Sequence, residues 1–250
     1  MILKIINSFK TKINKHFNIS TKTFNFQRNR KLAILGGEPT LQSNFTPYTS
    51  INSDEFNIIK KVFKRKQLSG FYGSWGKEFF GGYEVKRLEK CWSEFFKIPY
   101  SISVNSATSG LYAALAAIGI SPGDEVIVPP FTMSATVMGP LLYGGIPVFV
   151  DIDPNTFCLD TDLVEKAITK KTKAIIAVNL FGHPAKLDVL KKICEKNNLK
   201  LIEDNAQAPL AKINGQFAGT IGDIGIFSLN YHKHIHCGEG GICVTRDKKL

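Results

Sequence analysis

The sequence predicts an α/β protein built on a mostly parallel sheet flanked by helices, and three observations point to it. Short Val/Ile-rich runs alternate with helical patterns along most of the chain, which calls for a sheet covered on both faces. The 250 residues are 44% hydrophobic, enough for a full core in one large or two small domains. No internal repeat is visible.

The elements follow in order. Ser53 precedes a helix at 54–66 whose first turn holds Asp54 and Glu55 and whose last holds Lys64 and Arg65, the charge order that the helix macrodipole favours. A Gly-rich loop, 69–82, leads to a helix at 84–96 with Val85, Leu88, Trp92 and Phe95 on one face. Then come strand 101–104, helix 108–118, strand 125–128, helix 132–142, strand 147–150, helix 161–169, strand 174–178 and helix 186–197. Three strands, 200–203, 224–228 and 241–245, complete the pattern.

Charge is unevenly placed. Residues 1–31 hold eight Lys or Arg and no acid, whereas the rest hold 24 basic and 21 acidic residues. The body is therefore not built for a polyanion, and no nucleic-acid partner is expected. We divide the chain into a basic extension at 1–31 and one large domain at 32–250. In the extension Ile2, Ile6, Phe9, Ile13 and Phe17 recur at helical spacing among Lys4, Lys10, Lys12 and Lys15. That pattern suits weak contact with an anionic membrane or a partner, a mitochondrial-type presequence, or a plain extension of a Lys/Ile/Asn-rich chain. No run reaches the roughly 18 apolar residues of a membrane span. Five cysteines without a Cys-x-x-Cys pair argue against a disulfide or zinc framework, and a reducing, cytoplasmic setting is the expectation. Cys237 reads as a small packing residue.

Two segments carry the chemistry: Asn230-Tyr-His-Lys-His-Ile-His-Cys-Gly-Glu-Gly-Gly241 and Ile202-Glu-Asp-Asn-Ala-Gln207. A lysine on a tight, glycine-closed segment just after an apolar strand suits imine formation with an aldehyde, so Lys233 is the candidate nucleophile. Pyridoxal phosphate is the obvious aldehyde, and it needs an acid at its pyridine nitrogen, a phosphate cradle and a group on its ring face. Asp204, at the C-terminal end of a strand, can supply the acid, and Gln207 can reach the ring hydroxyl. As an alternative, Asp204 caps a following helix. Asn105-Ser-Ala-Thr-Ser-Gly110 lies at a strand-to-helix turn, where the N–H groups of Ala107 and Thr108 can point at an anion. Ser228 can add a hydroxyl. His232, His234 and His236 alternate, but no carboxylate or cysteine set accompanies them, and no metal site is assigned.

Asn105-Ser-Ala-Thr-Ser-Gly-Leu111, Val128-Pro-Pro-Phe-Thr-Met-Ser-Ala-Thr136, Phe149-Val-Asp-Ile-Asp153, Ile202 to Gln207 and Phe227 to Gly241 match, in order and spacing, the DegT/DnrJ/EryC1/StrS family, which the chain resembles from about Leu32 to its end. The resemblance implies the large domain of a fold type I pyridoxal-phosphate aminotransferase. It implies Lys233 as the imine-forming lysine, Asp204 at the ring nitrogen, Gln207 near the ring hydroxyl, and Ala107, Thr108 and Ser228 at the phosphate. Met133 stands where the family usually places an aromatic on the ring face, and Ala107 where it usually has glycine. Members that dehydrate keto-sugars carry histidine at the lysine position; here Lys233 is the fifth residue after Ser228 and Gly238 the fifth after Lys233, which puts lysine there.

The expected activity is amino transfer from glutamate or glutamine to a keto-sugar, a nucleotide-linked keto-deoxyhexose, by a homodimer. The alternatives are a keto-cyclitol or related ring as acceptor, and a non-catalytic cofactor-binding regulator. The chain stops at Leu250 just past a strand, from which we expect a C-terminal small domain beyond it. Leu68-Ser-Gly-Phe-Tyr-Gly-Ser-Trp-Gly76 reads either as a lid over substrate or as a plain surface loop.

Overall fold

A computed structural model describes residues 31–39, 41, 51–68, 79 and 81–250. The amphipathic pattern within residues 1–30 and the loop at 69–78 lie outside the described residues. The chain divides into two compact units, residues 1–61 and 62–250. Helix α1 (Ser53–Arg65) opens on a side-chain clasp in which the Asn52 N–H donates to Glu55 and the Asp54 N–H to Asn52 Oδ1, which satisfies donors that a helix start leaves free.

The second unit holds the sheet. After helix α2 (Tyr83–Phe96) come β1 (Tyr100–Val104), α3 (Ala107–Ala117), β2 (Glu125–Val128), α4 (Ser134–Leu142), β3 (Ile146–Phe149) and α5 (Thr161–Ala167). They are followed by β4 (Thr172–Val178), α6 (Leu187–Asn197), β5 (Lys200–Asp204), a two-stranded hairpin β6 (Lys212–Ile213) and β7 (Gln216–Phe217), β8 (Ile224–Ser228) and β9 (Gly241–Thr245). Seven strands form one sheet in the order β1-β9-β8-β5-β4-β2-β3. From β8 to β3 every neighbour is parallel, and β9 alone runs antiparallel, against both β1 and β8.

The strand pleat sends alternate residues to opposite faces, and each face has its own core. On one face Ile175, Ala177 and Leu201 pack against Leu187, Leu190 and Ile193 of α6. On the other, Ala174, Ile176, Ile202 and Ile226 pack against Leu111, Ala114 and Leu115 of α3. Each fully buried Leu or Ile contributes about 1.5–3 kcal/mol, so these two layers fix the sheet that carries the site. A third cluster joins Trp92 and Phe96 to Phe227, Leu229, Ile242 and Val244. Here the expected face of α2 is corrected: Phe96 is 3% exposed and Phe95 is 57% exposed, because Phe96, four residues after Trp92, shares its stripe.

The elements lie within one to two residues of the expected ranges at most boundaries. The hairpin β6–β7 was not anticipated, although Asn214 (φ 50°) and Gly215 (φ 80°) at its turn are the residue pair that tight hairpins favour. Residues 205–211 form turns, so no helix follows Asp204 for it to cap; its Oδ1 accepts instead from the Ala206 N–H at 3.3 Å.

Candidate active site

The C-terminal ends of β2, β4, β5 and β8 open on one side of the parallel sheet, where ligands of such folds collect. A cavity of about 370 Å³ lies there, and all seven sequence-selected residues, Lys233, Asp204, Gln207, Ser228, Ala107, Thr108 and Met133, line it. Thr132, Asn230, His232 and Glu239 line it as well.

Asp204 ends β5 and is 5% exposed. Its Oδ2 accepts a hydrogen bond from Thr136 Oγ1 at 2.9 Å, and Thr136 Oγ1 lies 2.9 Å from Thr132 Oγ1. Burial pushes the carboxyl above its usual range, opposed by the Thr136 hydroxyl, the Ala206 N–H and the charge of Lys233. Thr136 and Thr132 received no role from the sequence; the available signal was their place in the Val128–Thr136 segment.

Also lining the cavity, α3 begins at Ala107 with Ser106 as its cap, and Ser106 Oγ accepts from the Ser109 N–H at 3.1 Å. The N–H groups of Ala107 and Thr108 find no acceptor among the described residues. Free donors at a helix start favour an anion. Strand β9 meets this turn closely: a Cβ on Gly241 would lie 2.7 Å from the Ala107 nitrogen and 2.8 Å from the Ser106 oxygen. Ser228, the last residue of β8, faces the same space.

Gln207 spends its Oε1 on the Phe181 N–H at 3.3 Å and its backbone oxygen on Gly182 at 3.1 Å, which leaves its amide hydrogens for the cavity. Met133 is the cap residue of α4 and is 69% exposed, so its thioether stands open at the cavity wall. Cys237 is exposed rather than packed, a correction to its expected role; its thiol donates to the Glu239 carbonyl at 3.2 Å, because the glycine-rich turn carries it outward. Among the described residues no group of three His, Cys, Asp or Glu side chains is placed to hold a metal ion. Nor is any helix among them long and apolar enough to cross a membrane.

Residues 73–250 match the DegT/DnrJ/EryC1/StrS aminotransferase family. The chain is similar to the GDP-perosamine synthase of Escherichia coli O157:H7, with 41% identity over 68% of this chain and 46% of that protein. It is similar to the L-glutamine:2-deoxy-scyllo-inosose aminotransferase of Micromonospora echinospora, with 36% identity over 88% of this chain and 51% of that one. In three dimensions it resembles a crystal structure of GDP-4-keto-6-deoxymannose-3-dehydratase that holds a trapped PLP–glutamate geminal diamine, with a TM-score of 0.73 and 33% identity over 80% of this chain and 51% of that one. The chain spans about half the length of the curated relatives it matches.

Proposed function

This chain belongs to the DegT/DnrJ/EryC1/StrS aminotransferase family, and on that premise we propose that it binds pyridoxal 5′-phosphate and transfers an amino group from glutamate or glutamine to a keto-sugar, specifically a nucleotide-linked keto-deoxyhexose. The observation that carries this reading is one cavity lined by Lys233, the buried Asp204, Ser228 and the helix start at Ala107 and Thr108, whose N–H groups find no acceptor among the described residues.

The residues present fit the cofactor. The N–H groups of Ala107 and Thr108, with Ser228 Oγ, would hold a phosphate at the positive end of α3. Asp204, kept in place by Thr136, would hold a proton on the ring nitrogen, and Gln207 would donate to the ring hydroxyl. Met133 would cover a ring face through its thioether. When bound, the cofactor supplies an aldehyde for an incoming amine and an electron sink for the pair left by a broken C–H bond.

Lys233 has two duties in this scheme. Its amine would hold the cofactor at rest and, once free, would serve as the base that carries a proton away from the donor α-carbon. The Asp204 carboxylate would have to be ionised for both duties, and the hydrogen bonds from Thr136 and the Ala206 N–H favour that form against burial. The same groups run in reverse when the keto-sugar takes the amino group.

The likeness to GDP-perosamine synthase supports a nucleotide-linked sugar as acceptor. A second reading, a keto-cyclitol acceptor, has its own support in the inosose aminotransferase, whose likeness runs through 88% of this chain. We read the working unit as a cytoplasmic homodimer. The test is to load the protein with pyridoxal phosphate, reduce with borohydride and map the labelled peptide, then assay turnover with keto-deoxyhexose nucleotides and keto-cyclitols against both donors. Label on Lys233 with turnover is expected. Label on another lysine refutes the site, and label without turnover on any acceptor identifies a cofactor-binding regulator.

A further inference from the structure

Lys233 sits in a turn of the loop that joins β8 to β9, and its position is set by Asn230 through three hydrogen bonds. The Lys233 N–H donates to the Asn230 carbonyl at 2.8 Å. The His232 N–H donates to Asn230 Oδ1 at 3.1 Å. Asn230 Nδ2 in turn donates to Glu239 Oε1 at 2.8 Å, across nine positions of sequence.

The orientation of the Asn230 amide follows from this arrangement. Reversed, it would turn its oxygen toward a carboxylate and its NH2 group toward a backbone N–H, two repulsive contacts in place of two attractive ones. Backbone bonds close the loop at its base: the Leu229 N–H donates to the Gly240 oxygen at 2.9 Å and the Cys237 N–H to the Leu229 oxygen at 3.0 Å. Gly238 (φ 93°) lets the chain reverse just before Glu239, a conformation that residues with a side chain rarely adopt. Beyond the base, Tyr231, His232 and Glu239 are exposed. Ile235 packs on the third core cluster, while at the Lys233 turn Asn230 bonds back to the chain and is itself bonded to Glu239.

We infer that Asn230 and Glu239 form a clasp that positions Lys233: Asn230 is a positioning residue acting through the turn, and Glu239 fixes the direction in which its amide points. The inference rests on the proposed function only for the role of Lys233. The bond from neutral amide to carboxylate is charge-assisted, so it outweighs an ordinary surface hydrogen bond and restrains the exposed turn between Asn230 and the packed Ile235.

The polarity of this bond supplies the test. N230D keeps the acceptor for the His232 N–H but sets two carboxylates against each other; N230D/E239Q restores one hydrogen bond with its direction reversed. Two quantities are measured on the whole chain: deuterium uptake of the 229–240 segment without cofactor, and the rate at which borohydride-fixable pyridoxal phosphate accumulates on Lys233. N230D should raise uptake and slow accumulation by about tenfold, the scale of one charged hydrogen bond. The double variant should recover most of both. Glu239→Ala, at an exposed position where folding is not at stake, should raise uptake in the same segment. Unchanged uptake in N230D and Glu239→Ala, or a double variant no better than N230D, overturns the clasp. A wild-type protein that captures no cofactor would count against the proposed function, while the uptake measurement would still decide the clasp.

Discussion

Glu203 and Asp204 are consecutive on β5, yet their carboxylates serve opposite faces of the sheet. Asp204 points into the cavity and accepts from Thr136 and Ala206. Glu203 is 0% exposed and accepts on the other side from the N–H groups of Ile221 (2.7 Å), Gly222 (2.6 Å) and Gly219 (2.5 Å), and from Asn179 Nδ2 at 3.3 Å. Burial raises both carboxyls above their usual range. One is a chemical group and the other ties down the loop that feeds β8, and the same amide replacement should affect them in opposite ways.

Glu203→Gln should destabilise the protein by about 2–4 kcal/mol, since whichever oxygen becomes NH2 then faces two N–H donors in a dry site. Urea unfolding measures this. A midpoint equal to wild type would mean that the Glu203 network does not hold the loop.

Asp204→Asn should stabilise the cofactor-free protein, because the amide can still accept from Ala206 and donate to Thr136 while the buried charge is gone. The sign with pH follows from the raised folded-state pKa: the contribution of Asp204 is fully present below its unfolded pKa and is lost as pH rises through the folded value. Melting temperatures of variant and wild type should therefore diverge in the variant's favour as pH rises above about 4. Turnover should fall by more than about a hundredfold, or about 2.7 kcal/mol of barrier, because a neutral amide does not hold the ring proton. Retained turnover would refute the assigned orientation of the cofactor.

Thr136→Val keeps the shape and removes the donor to Asp204 Oδ2. The loss should cost about 1–3 kcal/mol of stability and raise the Asp204 pKa further. Because the carboxylate must be ionised to work, the acidic limb of the pH–rate profile should move to higher pH. An unmoved limb with lower activity throughout would assign Thr136 to packing alone.

Gly241→Ala should weaken binding of pyridoxal phosphate and leave pyridoxal capture nearly unchanged. The added Cβ would meet backbone atoms of the Ala107 turn at 2.7–2.8 Å, and backbone cannot swing aside as a side chain can. We expect at least about a tenfold loss, the scale of one charged hydrogen bond to the phosphate. Equal loss for both ligands would place the anion elsewhere.

What the sequence determined by itself was local. Strand and helix types followed from apolar runs and periodicity, and the charge order of α1 from its end residues. Of the seven selected residues, Asp204 and Ser228 end strands, Gln207 and Lys233 lie in turns, and Ala107, Thr108 and Met133 stand at helix starts, all places that local sequence pattern marks. The tertiary structure decided what meets across distance. Thr136 lies 68 positions from Asp204 and reaches it only because α4, following β2, and the end of β5 open on the same edge of the sheet. Strand order is set by which helices bury which faces, a sum over many weak contacts that no local window of sequence contains. The same reason hid Glu203: a glutamate on a strand reads as a solvated or catalytic group until the loop at 219–222 folds back and gives it three N–H donors. The clasp was closer to legible, since Asn230 and Glu239 stand nine residues apart, but a hydrogen bond across a glycine turn depends on where the chain reverses, and only the packed base of the loop, Leu229 against Gly240, fixes that point.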